Sequence, residues 1–272
     1  MSSNVDLLRV EMRRALHRRA VWGLIGLFLA FAAIVGTISY VEAMNTPLAE
    51  LRSRYPHAAV LTDWWIPGSD RGVTMTAAAV MMIGALLGGS TVAGAEWRAG
   101  TITTVLTWEP RRLRLHAART ASAFLLAVPI AFTLLIVFLA ALLPTVLVHG
   151  TTAGADATWW WQLVSAVARI SLFAGLAAVV GIALATIGRN TTFALVVVAG
   201  WMIAGENVLR ALRPSVQDHL VGENLTTVVT WSTTASDVGH SVGTAGAHLV
   251  LYLAVAVTAA TIAFTRRDIA TR

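Results

Sequence analysis

The sequence predicts an all-α polytopic membrane protein, and three observations carry that prediction. Of its 272 residues, 57% are hydrophobic and only 12% are charged, whereas a soluble domain carries about 25% charged residues. Apolar runs long enough to cross a bilayer recur six times, more than so few polar residues could cover in water. The basic residues, finally, crowd onto alternate connections between those runs.

The elements follow in order. Residues 5–19 place Val5, Leu8, Met12 and Ala15 or Leu16 at helical spacing, with Arg9, Arg13 and Arg14 elsewhere on the wheel. This predicts an amphipathic interfacial helix within residues 1–19. A cleavable leader is disfavoured, since no small-x-small site precedes Glu42. A span needs about 20 mostly apolar residues, and six stretches meet this: 20–41, 73–95, 121–148, 160–187, 191–209 and 247–264. The third holds Pro129 and Pro144, which predicts a kink or two shorter pieces. A tight turn, Gly188-Arg189-Asn190, separates the fourth from the fifth, and the longer segment 210–246 is read as an outer loop. No connection is large enough for an enzymatic domain, so residues 1–272 form one membrane domain.

Orientation follows from arginine. With the amino terminus inside, the inner segments hold 14 arginines and the outer loops five (Arg52, Arg54, Arg71, Arg210 and Arg213), which makes the side of both termini cytoplasmic. The formal charge of +6 is therefore read as a topology signal, with the lipid bilayer and no nucleic acid as partner. Trp64, Trp65, Trp159, Trp160 and Trp161 fall where an aromatic belt at the outer headgroups is expected.

Residue types missing from the chain exclude some chemistry. All 20 basic residues are Arg, so neither a phosphate-binding P-loop lysine nor a Schiff-base amine belongs here. Cys is absent, which removes thiolate ligands and nucleophiles, and the seven His show no zinc-protease spacing. No catalytic residue and no metal site is expected. Gly84 and Gly88 form a small-xxx-small pair that suggests close helix packing.

The most informative polar segment is the inner loop 96–119. Thr101 can cap a short helix carrying Ile102, Val105 and Leu106 on one exposed apolar face, which Pro110 then stops. Such a face suits either a protein groove or a plain interfacial turn. Glu96, Gly100-Thr101, Leu106, Pro110 and the pair Arg111-Arg112 resemble the signature after the second helix of six-helix ABC export permeases, the ABC-2 type. The end Phe264-Thr265-Arg266-Arg267-Asp268 is similar to that family's closing tail.

The resemblance implies that this loop is a coupling helix docked on a separate ATP-binding subunit, which supplies ATP and Mg, the chain itself holding no cofactor. Two permease copies, identical or related, pair with two such subunits in a bacterial plasma membrane and move a hydrophobic or amphipathic substrate out of the cytoplasm by alternating access. Gly100 and Thr101 would shape the helix, Glu96 would end the second span, and Arg111 and Arg112 would anchor the return to the membrane. It also implies short re-entrant helices in 210–246. The family often has Lys in its inner loops, where this chain has Arg.

Two charges fall inside spans. Arg169 lies about 12 Å from the outer face and Glu206 about 24 Å from the inner one, so both belong to the outer half. A buried charge needs a partner, and an ion pair or a shared outer cavity between them is expected. They also motivate a rival reading, an ion-coupled carrier or channel; a membrane-embedded lipid enzyme is the third.

Overall fold

The computed structural model describes residues 4–53, 56–234 and 239–266 and is helical, with no strands among them. Helix α1 (Asn4–Leu16) leads at an elbow into α2 (Arg19–Asn45); a short α3 (Leu48–Ser53) follows, then α4 (Val73–Arg98), α5 (Ile102–Trp108), α6 (Arg112–His149) and α7 (Ala157–Gly188). The chain continues through α8 (Thr191–Gly200), α9 (Glu206–Leu212), α10 (Val221–Thr230) and α11 (Val242–Arg266).

Five of these, α2, α4, α6, α7 and α11, are long and apolar enough to cross a membrane. The expected fifth span does not form one unbroken α-helix: α8 and α9 are joined by a π-helical turn, Trp201–Gly205, through which the backbone stays right-handed. The helical course 191–212 is about 33 Å long at 1.5 Å per residue, similar to the hydrocarbon core. Glycines at both ends of the turn, Gly200 and Gly205, give the local freedom for a π-bulge. In the third predicted span, by contrast, α6 runs as one helix through both Pro129 and Pro144 rather than as two pieces. At 38 residues it is about 57 Å long and outreaches the bilayer.

The helices pack where backbone meets backbone. A Cβ on Gly89 would lie 2.0 Å from the Ala178 carbonyl oxygen, and one on Gly181 2.1 Å from that of Leu86, so α4 and α7 meet in their closest approach at two glycines. The suggested pair Gly84 and Gly88 does not serve this purpose. A Cβ on Gly84 meets nothing within 4 Å, and one on Gly88 meets only a Leu24 methyl at 3.7 Å. These two face a groove. The main core adds Phe28, Ala32, Leu135, Phe138 and Leu142 from α2 and α6 to Ala166, Val167 and Ile170 of α7, with the Phe31 and Phe138 rings stacked at 5.7 Å.

Three of the five expected belt tryptophans are core residues. Trp64, Trp65 and Trp159 are buried, Trp64 donating to the Ala58 carbonyl and Trp159 to that of Trp65. A buried indole N–H needs an acceptor, and the loop carbonyls supply it. Trp160 and Trp161 stay exposed, at 43% and 72%.

Candidate functional site

At the end of the bundle where α1, α4, α5, α6 and the last turn of α11 meet, the predicted inner-loop residues come together. Gly100 adopts a left-handed conformation (φ +67°), and its N–H donates to the Trp97 carbonyl while the Thr101 N–H donates to that of Glu96. This is the pattern by which a C-terminal glycine ends a helix. Gly100 therefore stops α4 and turns the chain into α5. Thr101 does not cap α5 as expected: its backbone is already helical and its hydroxyl makes no capping bond. The Thr103 hydroxyl bonds the Gly100 carbonyl instead.

The apolar face of α5 is not exposed either. Ile102 is buried against Leu115 of α6 and Phe264 of α11, with Val105, Leu106 and Trp97 packed on them. Burying this face within the chain removes it from water without a partner. What α5 presents outward is Thr104, Thr107 and Trp108, the last 85% exposed. Pro110 and Arg111 are exposed beyond it, and Arg112 turns to the carbonyls of Phe264 and Thr265, at 3.5 and 3.3 Å, holding the C-terminal end of α11. Arg267 and Asp268 of the closing motif lie outside the described residues.

Behind this surface is an ionic cluster that the sequence reading had not assembled. Glu96, expected only to end α4, is buried and meets Arg119 of α6, Arg18 of the elbow at 3.3 Å and Arg14 of α1 at 3.5 Å. Glu11 of α1, also buried, bonds Arg14 at 2.8 Å and Arg119 at 3.3 Å. Arg18 additionally donates to the Thr91 and Val92 carbonyls, at 2.8 and 3.0 Å. Burial lowers the pKa of its guanidinium from the ordinary value, Glu96 offsetting part of the shift, yet Arg keeps its charge. Glu11 thus ties α1, expected only to lie on the leaflet surface, to α4 and α6, with Ala15 buried beside it. The only sequence signal was an acid one residue before Met12, among the arginines of α1.

Arg169 and Glu206 do not pair. Arg169 Nε donates to the Val229 carbonyl at 2.8 Å, its Nη1 to Ser165 Oγ at 3.2 Å, and its guanidinium lies 5.8 Å from the Trp231 ring centre. The Glu206 carboxylate accepts from the Gly222 N–H at 3.0 and 3.1 Å and from Trp201 Nε1 at 2.9 Å. Val229 and Gly222 sit at opposite ends of α10, within 210–246. The negative charge therefore meets the N-terminus of α10 and the positive charge its C-terminus, each complementing the helix dipole. Around the same helix, Asn224 Oδ1 contacts His240 Nε2 at 3.0 Å and His248 Nδ1 at 3.3 Å. Among the described residues, no His, Asp or Glu group converges as a metal site would.

No family model matches the chain, and no curated protein matches it either. The class that fold and composition define is that of an all-α, multi-pass membrane protein.

Proposed function

We propose that the chain is the membrane subunit of an ATP-driven exporter, with the α1 end cytoplasmic, the course 191–212 as a sixth crossing, and two permease copies working with two ATP-binding subunits. The observation that carries this reading is the keying of α5 to the bundle. Its base is fixed by the Gly100 turn and the buried Glu96 cluster, and its apolar face by Ile102 on Leu115 and Phe264. A push on the outward face of α5 would therefore reach α1, α4, α6 and α11 together, which is what a mechanical input from a nucleotide-closing partner requires. The partner would grip Trp108, Thr104 and Thr107 rather than an apolar stripe. An exposed Trp is a typical anchor of a protein interface. ATP and Mg belong to the partner, and the cargo is hydrophobic or amphipathic, moved outward by alternating access.

The ion-coupled rival loses its motive, because both charges it would use are engaged as caps of α10. The test is co-purification with an ATP-binding subunit. A stable complex whose hydrolysis responds to this chain, and weakens in Trp108→Ala without loss of membrane insertion, supports the exporter. A chain that transports with no ATPase present sinks it.

A further inference from the structure

A groove of about 240 Å³ opens on the membrane face between α2, α4 and α6, and its end nearest the elbow is bounded by Ala15 and Leu16 of α1. Leu24 and Phe28 form one wall and Ile130 another, while Gly84 and Gly88 leave the floor without side chains. Along α4 the lining runs from Val80 to Val92. From the first to the last of these is a rise of about 18 Å, close to the roughly 15 Å that one leaflet contributes to the hydrocarbon core.

The chain segment at that end is basic. Residues 4–19 carry five arginines against Asp6 and Glu11. Arg14 and Arg18 are held by the buried carboxylates, whereas Arg13 and Arg19 are exposed and their side chains have no hydrogen-bond or ion-pair partner among the described residues. Arg13 precedes the lining residue Leu16 by one helical turn and so shares its side of α1, whereas Arg19, two residues before the lining residue Val21, falls on the opposite side of α2. Trp22, exposed, donates its indole N–H to the Leu16 carbonyl at 2.8 Å, an amphipathic ring placed for the headgroup level. A slot one leaflet deep, apolar along its length and cationic at its opening, matches a single amphiphile with a tail and an anionic head.

We propose that this groove is a binding site for an anionic phospholipid of the leaflet on the α1 side, with one acyl tail lying over Gly84 and Gly88 and its phosphate held by Arg13. The site stands apart from the exporter reading: it needs the bilayer and no ATPase. It gives the two uncovered glycines a use, since a side chain at either would fill the tail's path. It also places the lipid against the elbow that the Glu96 cluster anchors.

Native mass spectrometry of the purified full chain, offered equal amounts of phosphatidylglycerol and phosphatidylcholine, tests it. Wild type should retain one phosphatidylglycerol with at least about fivefold preference, the worth of one basic side chain at an anionic surface. Gly84→Leu should lose that lipid, and Arg13→Gln should keep a lipid but lose the preference. Inorganic phosphate should not compete. Equal retention of both lipids by wild type, or unchanged retention by Gly84→Leu, overturns the proposal. So does a second copy of the chain occupying the groove, seen as a dimer that Gly84→Leu dissociates with lipid content unchanged. Should Gly84→Leu fail to fold, a phosphatidylglycerol carrying a diazirine in its tail decides on wild type. Adducts within residues 80–92 support the site, and adducts confined to other helices refute it.

Discussion

Glu96 shows how much one buried side chain can govern. Its carboxylate meets guanidiniums from α1, the elbow and α6, and Glu96→Gln would leave Arg119, buried beside it, with only Glu11 for charge compensation. Breaking a buried ion pair on one side costs about 3–5 kcal/mol. Glu96→Gln should therefore lower stability by several times more than Glu109→Gln, whose partner Arg114 lies nearer the surface; thermal unfolding in detergent measures both. The glycines divide as sharply. Gly89→Ala sets a methyl against the Ala178 carbonyl and should destabilise strongly, whereas Gly84→Ala meets open space and should be neutral or stabilising by up to about 1 kcal/mol through helix propensity. Equal effects at the two positions would contradict the packing described above. From sequence alone close packing was expected at Gly84 and Gly88 rather than at Gly89, because small-xxx-small spacing says that a helix has a flat stripe but not what faces it.

Helix α10 is the element on which the charges of Arg169 and Glu206 both act. It has ten residues, too few to be stable by itself, and depends on its ends and on packing for order. Glu206 satisfies the Gly222 N–H and Arg169 the Val229 carbonyl. Losing a cap of this kind costs about 0.5–2 kcal/mol. Glu206→Gln and Arg169→Ala should each speed amide exchange across residues 221–230 while leaving α4 and α7 protected. The double swap Arg169→Glu with Glu206→Arg should be worse than either single change, since it sets each charge at the wrong end of the dipole. Recovery in the swap would restore the direct pair that the sequence suggests. That pair looked plausible because both residues lie at similar depth, but depth along a span says nothing of azimuth, and a third element stands between them.

On the scale of the whole molecule, α1, α5 and the last turn of α11 gather at one end, joined by Arg114 to Asn4 at 2.8 Å and by Arg112 to the α11 carbonyls. Single cysteines at Thr107 and at Ser232 should therefore react with an impermeant maleimide from opposite sides of the membrane, Thr107 only in inside-out vesicles. Labelling of both from one side would remove the proposed topology and, with it, the route by which an internal ATPase could reach α5.

What the sequence determined by itself was the membrane class, the approximate place of each apolar helix, the turn at Gly188-Arg189-Asn190, and the region where α5 would form. These are local properties: apolar length, helix-stopping glycine and the density of charge are legible wherever they occur along a chain. Only the tertiary structure decided what the polar groups inside those helices meet. Glu11, Glu96 and Arg119 lie far apart in sequence, and their desolvation becomes affordable only when three helices bring opposite charges into one site. The same holds for the apolar face of α5, for which periodicity gave the stripe while the covering came from Leu115 and Phe264, supplied by other helices. Burial depends on which helices become neighbours, and neighbours are chosen by packing across the bundle, a relation that hydropathy along one strand of sequence does not contain.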